Sequence, residues 1–547
     1  MRRSGKADGR TDVDESYDCV IVGAGFSGLA MLFHIRQTGL RCLLVDRQDG
    51  VGGTWRANRY PGVRTDSDYP IYSFSFSREV REEWSWSQRY ATGDEVLGYL
   101  EFVAARLDLL RDMRFGLELR RAALNEESGL WLLDFNDGSR MACRYLISCM
   151  GILTRPVWPA IPGLEDFTGT LVHSGQWPTA GLDLSGQRVG LIGLGSSGLQ
   201  ILPTIAPSCN QVVVFQREPN YVVDSTHFQV SDEEMQEVRR DYDQIWERAQ
   251  SHPFGVDMEI PPLGAMDVDP AERERIFESK WREGGHHFAN ETFNDLSTSL
   301  DASRAASEFI RGKIRQIVKD PAIAELLCPK GYSFNGKRVP TSHRYYETYN
   351  LPQVRLVDLK TTPIVSATSR GLRVGDEEIV LDVLICATGY DAMTGPLTSI
   401  DIVGRGGQTL AQKWAEGVRT NLGISMNGFP NLLLSLGPQT PYSNLPVPIQ
   451  LGAQWVARAI AFAESNDIPA LEATRESEDW WADEVERTGR ATVMVEEGRK
   501  AKAWFLGANV PGKPLDLLVY MGGGPQYQVH CRQAEAENYA SFRAAEL

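Results

Sequence analysis

No stretch of this sequence stays apolar for the length of a bilayer, so nothing in it reads as a transmembrane helix. It also lacks a C-x-x-C pair. The eight cysteines stand at 19, 42, 143, 149, 209, 328, 386 and 531, several of them inside apolar runs. That pattern excludes the cysteine relay of a disulfide reductase and suits the reduced thiols of a cytoplasmic protein. Positive charge is scarce as well: the formal net charge is -16 and no basic run offsets it. Nucleic acid and anionic membrane surfaces are therefore not expected as partners. The opening residues, "MRRSGKADGRTDVDES", carry two arginines with no apolar segment after them. They read as a disordered tail over 1–16 and not as a signal peptide.

What the chain does have is glycine in two places with the same surroundings. Residues 17–29, "YDCVIVGAGFSGL", read as a buried strand, a tight turn and the start of a helix, and "LRCLLVD" at 40–46 adds a second strand. The same grammar returns in "QRVGLIGLGSSG" at 187–198, followed by "QVVVFQR" at 211–217. At 547 residues the chain is too long for one core. An α/β fold with two Rossmann-like dinucleotide-binding domains is expected, and the charge-rich helical spacing of 228–330 marks a helical insertion.

In the first unit Gly23 permits the turn, Gly25 admits a diphosphate to the helix N-terminus, and Gly28 allows close helix packing. Asp46 follows about 20 residues later, where a carboxylate binds ribose hydroxyls. In the second unit Gly193, Gly195, Ser196 and Gly198 repeat the turn, but the next strand ends in Gln216 and Arg217. An arginine there attracts a 2′-phosphate, which points to NADPH at the second site; the lesser reading of Arg217 is a solvated strand end. Two dinucleotides in one chain imply electron transfer between them, and NADPH feeding FAD is the simplest pair. The expected division is an FAD-binding domain at 17–150 and 390–547, an NADP-binding domain at 151–227 and 331–389, and the insertion at 228–330.

Two longer motifs narrow the chemistry. "FTGTLVHSGQWP" at 167–178 fits the pattern F-x-G-x-x-x-H-x-x-x-W-P, and "GGTWRANRYPGVRTD" at 52–66 precedes it. Together they resemble the fingerprints of type I Baeyer-Villiger monooxygenases. The resemblance continues through "GKRVPTSHRYYETYN" (336–350), "GFPNLLLSLGPQTP" (428–441) and "AWFLGANVPGKP" (503–514), and is loosest in the insertion. The chain departs from the family pattern where "TSHR" replaces a stretch that commonly holds an aspartate, and where Leu351 replaces a common arginine.

The resemblance implies an FAD enzyme in which NADPH reduces the flavin, oxygen adds at C4a as a peroxide, and the peroxide anion attacks a small-molecule ketone to give an ester or lactone. It places Arg338 beside that anion and Asp66 behind Arg338, with Thr54 and Trp55 at the flavin. Lys337 joins Arg217 at the 2′-phosphate, Trp504 belongs near a loop closing over NADP, and His173 couples domain movement to catalysis. Without the resemblance the same residues have plainer readings: a solvated basic pair, a turn cap, core tryptophans and a packed histidine. The nearest alternative function is an N- or S-oxidising flavin monooxygenase; a redox-inactive NADP(H) sensor is a more distant one.

Overall fold

The computed structural model describes residues 13–543. Most of the tail expected over 1–16 lies outside that range, and its last two residues belong to the fold: the strand Glu15–Val22 begins with Glu15 and Ser16 paired to Met141 and Ala142. The first half of this strand alternates between covered and open positions, while Cys19–Val22 is wholly buried. Such a run is what a central strand needs where helices cover both faces of a sheet.

Two sheets organise the molecule. In the first, Met113–Phe115, Cys42–Asp46, Glu15–Val22 and Arg140–Ser148 lie side by side and parallel. The strand Arg140–Ser148 is shared. Its early residues pair antiparallel with Leu130–Phe135, and its last three pair parallel with Leu432–Leu434, which returns from far along the chain. The second sheet is fully parallel, in the order Val354–Asp358, Gln211–Gln216, Arg188–Ile192, Val383–Cys386, Thr170–His173. A small antiparallel sheet of Ile364–Thr368, Gly371–Val374 and Glu377–Val380 packs beside it.

The chain passes between the two sheets twice, and the two crossings are tied together. Val157 N donates to Gly389 O at 2.9 Å and Thr388 Oγ1 donates to Val157 O at 2.6 Å. The segment 228–330 forms helices Asp232–Ser251, Pro270–Glu283, Leu300–Ile317 and Pro321–Leu327. Ser231 and Glu234 cap the first of these reciprocally, fixing its start. Its buried face, Tyr242, Ile245, Trp246 and Ala249, packs on Ile71 and Val447 of the first unit. Phe309, Ile310 and Ile314 instead join the core of the second. The insertion therefore straps the two dinucleotide folds together. Among the described residues no helix is long and apolar enough to cross a membrane, and all eight cysteines are buried and unbridged.

Candidate active site at the domain junction

In the first turn the helix Phe26–Arg36 starts at Gly25 with no side chain capping its amides. A methyl group on Gly28 would sit 1.8 Å from Gly23 O, so only glycine lets helix and turn approach this closely. The G-G-T-W segment folds against the same turn: Gly52 N donates to Ala24 O at 3.0 Å, and a Cβ on Gly53 would lie 2.8 Å from Gly25 Cα. Exposed Thr54 and half-buried Trp55 thus begin a helical turn beside uncapped amides. A free helix N-terminus cradled by two glycine turns fits a diphosphate.

Asp46 differs from the simple expectation of a ribose ligand. Its Oδ2 accepts from Ala24 N at 2.6 Å and its Oδ1 from Gln48 N at 2.8 Å. Burial raises its pKa, against the pull of those two amides. The carboxylate first holds the turn in shape; each oxygen keeps a second acceptor position for a ligand hydroxyl.

The second turn repeats the design. A Cβ on Gly198 would lie 2.1 Å from Gly193 O, whereas nothing stands within 4 Å of one on Gly195, where the helix Ser196–Ile205 starts uncapped with Ser196 exposed. Gly198→Ala is accordingly expected to lower soluble yield and melting temperature. Gly195→Ala should fold normally, with its loss seen in a raised KM for NADPH. Equal melting temperatures for the two variants would contradict this division.

Exposed Arg217 follows the strand Gln211–Gln216. Beside it Lys360 pairs with Glu218 at 2.6 Å, while Lys337 has its ammonium 5.1 Å above the Tyr332 ring. Burial, with Arg217 and Lys360 nearby and Glu218 opposing them, pushes the Lys337 pKa down to about 8. Three cations around one acid leave an excess of positive charge that fits a phosphate.

The two units and the insertion meet at Asp66. Arg338 Nη1 lies 2.5 Å from Asp66 Oδ2, and the guanidinium keeps 28% of its side-chain surface exposed, enough to face a ligand. Burial alone would raise the Asp66 pKa; Arg338, helped by His286, outweighs it and holds the carboxyl well below the usual range. Burial likewise opposes the charge on Arg338, yet Asp66 raises its pKa above the ordinary arginine value. The result is a cation that stays protonated while reachable. Buried His286 brings Nε2 to 3.9 Å from Asp66 Oδ1. Aromatic rings enclose the pair: Tyr72 is edge-on to Trp55 at 5.6 Å, Phe254 is edge-on to His286 at 5.5 Å, and Tyr442 stands 5.7 Å from Phe254 and 6.5 Å from Trp504. Trp55, through Tyr72, and Trp504, through Tyr442, thus belong to two aromatic groups that border Arg338.

His173 is elsewhere. It is fully buried at the end of Thr170–His173, accepts from Gly175 N through Nδ1 at 3.0 Å, and packs between Trp158 at 5.3 Å and Tyr390 at 5.9 Å. Tyr390 OH in turn donates to Asn58 Oδ1 at 2.8 Å, on the loop that follows Trp55. Burial lowers the His173 pKa, so the ring is neutral near pH 7. Its place is the pair of crossings between the sheets. Tyr72, Phe254 and His286 were not found from sequence. The two neighbouring histidines in "GGHHF" were the available signal for His286, and nothing local said which acid they would meet.

Two parallel dinucleotide folds converging on a protected carboxylate–guanidinium pair define a two-cofactor flavoprotein oxidoreductase. The flavin-binding monooxygenase-like family pattern matches residues 17–241. Over the whole length, the chain is 37% identical to phenazine N-monooxygenase PhzNO1 of Lysobacter antibioticus, covering 96% of each chain. It is 38% identical to a Baeyer-Villiger monooxygenase of Pseudooceanicola batsensis, covering 97% of this chain and 96% of that one. The crystal structure of cyclohexanone monooxygenase from Rhodococcus sp. Phi1 bound to NADP+ superposes with a TM-score of 0.94 at 37% identity, covering 96% and 98% of the two chains. The chain belongs to the Baeyer-Villiger monooxygenase family of FAD- and NADPH-dependent flavoproteins.

Proposed function

We propose that this protein uses NADPH and O2 to insert one oxygen atom beside the carbonyl of a small-molecule ketone, giving an ester or lactone, and that Arg338 is the catalytic cation. The observation that carries this reading is the 2.5 Å Asp66–Arg338 pair, partly open and ringed by aromatic side chains. Gly23, Gly25, Gly28, Asp46, Thr54 and Trp55 would hold FAD on the unit formed by 17–150 and 390–547. Gly193, Gly195, Ser196, Gly198, Arg217 and Lys337 would hold NADPH on the unit formed by 151–227 and 331–389, with Trp504 closing over it. When bound, FAD reduced by NADPH supplies the activated oxygen atom from O2.

The chain's own residues then do three things. Arg338 presents a charge that cannot leave as a proton, so it stabilises negative charge developing on the carbonyl oxygen in a site bordered by aromatic rings. Asp66 fixes the guanidinium plane and keeps it charged. His173, between the crossings, positions the two units relative to each other, since hydride and oxygen transfer call for different placements of the nicotinamide. His173→Ala is expected to preserve flavin reduction by NADPH while diverting more of the consumed NADPH to hydrogen peroxide; unchanged coupling would remove this role.

At the second site Arg217→Ala combined with Lys337→Ala should raise KM for NADPH by about tenfold or more, the loss expected for charge-assisted contacts. KM for NADH should hardly move. A parallel rise for both cofactors would mean that these residues do not read the 2′-phosphate.

The 37% identity to a phenazine N-monooxygenase supports a second reading, oxidation of an aromatic nitrogen at the same site. The deciding assay supplies the holoenzyme with NADPH, air, a panel of cyclic, aryl and linear ketones, and phenazine. Ester or lactone from a ketone supports the first reading. N-oxide with every ketone untouched supports the second.

A further inference from the structure

A cleft of about 490 Å³ opens between the two dinucleotide units; Thr65 lines it, but Asp66 and Arg338 do not. One wall is the segment from Gly62 to Thr65, the other runs from Gln200 to Pro207, and Ser225, His227 and residues 341–351 close the rest. Both departures from the family pattern in the sequence, "TSHR" and Leu351, fall in this lining. They are not accounted for by oxygen transfer.

The polar groups in the cleft are under-used. Half-buried Arg64 makes one long side-chain hydrogen bond, Nε donating to Gly62 O at 3.4 Å, and pairs with no carboxylate among the described residues. Burial disfavours its charge, as expected for a guanidinium with no counterion. Arg344, in a left-handed conformation at φ 57, also has no carboxylate partner among the described residues. Ser225 is 3% exposed with its hydroxyl unpartnered, and Nδ1 of His227 is buried and unpartnered. Burial, then the neighbouring Arg64, lowers the His227 pKa. His343 is turned toward Asp224 at 3.5 Å, and exposed Glu347 is the acid of the lining.

Buried polar groups are normally satisfied, and buried cations are normally paired. A cleft large enough for a small molecule that leaves the half-buried Arg64 guanidinium, a buried hydroxyl and an imidazole nitrogen without partners, with exposed Arg344 in the same lining, suits a multi-acceptor anion. We propose that it is an anion-binding site, separate from both diphosphate sites, that takes the carboxylate or phosphate group of a small molecule. Arg64 and Arg344 supply the charge; Ser225 and His227 supply hydrogen bonds.

The test titrates FAD-loaded, NADP+-saturated protein with inorganic phosphate, and separately with acetate, by calorimetry; saturation with NADP+ keeps the probe off the 2′-phosphate site. One saturable site is expected, weakened about tenfold or more by Arg64→Gln and by Arg344→Ser, the fold-change for one lost charge-assisted contact. FAD content checks folding, and surface-exposed Arg344 keeps the test readable should Arg64→Gln not fold. No saturable binding of either probe, or binding equal in wild type and both variants, overturns the proposal. Binding is read without turnover, so failure of the ketone assay does not decide it. The source of the anion follows from kinetics: phosphate that raises KM for a keto acid but not for a neutral ketone identifies the anion as part of a substrate. Binding that spares the keto acid identifies a separate effector.

Discussion

Arg338→Ala is expected to cut ester formation by about 100- to 1000-fold, the range for removing a donor aimed at developing oxyanion charge. NADPH should still be consumed, because the substitution leaves Arg217, Lys337 and the second glycine turn in place, and the electrons should appear as hydrogen peroxide. Arg338→Lys should recover little. A lysine in this buried position loses its proton readily and has no fork to match the Asp66 carboxylate, whereas the arginine stays charged. Product yield measured beside NADPH consumption and peroxide checks this. Parallel loss of all three would mean that Arg338 serves nicotinamide binding and not oxygen transfer.

Asp66→Ala is expected to be the most damaging single substitution to stability at the site. It leaves a largely buried guanidinium without its partner, a change that costs about 3–5 kcal/mol in comparable buried pairs. Ester formation should fall with it, since Arg338 loses its fixed orientation. The pH dependence has a definite sign. The folded Asp66 pKa is depressed, chiefly by Arg338 against the effect of burial, so its stabilisation is present above the unfolded value near 4 and is lost as pH falls further. The melting-temperature gap between wild type and Asp66→Asn should therefore be flat from about pH 6 to 8 and narrow below about pH 4. A gap that widens in acid would contradict the depressed carboxylate.

The glycine turns were legible because their causes are local: strand, turn and helix start occupy a dozen consecutive residues, and Gly28 and Gly198 meet backbone of their own turns. Asp66 and Arg338 were found through motifs around each, although 272 positions separate them and no local pattern predicts their ion pair. The role of Asp46 was only half visible. Sequence spacing finds the acid at the strand end, but not the two amides, Ala24 and Gln48, that occupy it. The insertion read correctly as helical, yet its spacing did not reveal that Trp246 packs toward one unit and Phe309 toward the other. Arg64 and His227 were illegible for the same reason: each is unremarkable among its sequence neighbours and gains meaning only from side chains that folding brings to it, while the signals at His286 and Arg344 did not say what those residues would meet. The absence of a basic run in the sequence thus did not preclude a basic cleft.

The most direct measurement supplies the holoenzyme with NADPH, a ketone that it turns over and oxygen labelled with 18O, then weighs the product. One labelled atom per ester or lactone, with one NADPH consumed for each, is the expected result. Unlabelled product, or NADPH consumed with hydrogen peroxide alone under every ketone tried, would contradict oxygen insertion and with it the role given to the Asp66–Arg338 pair.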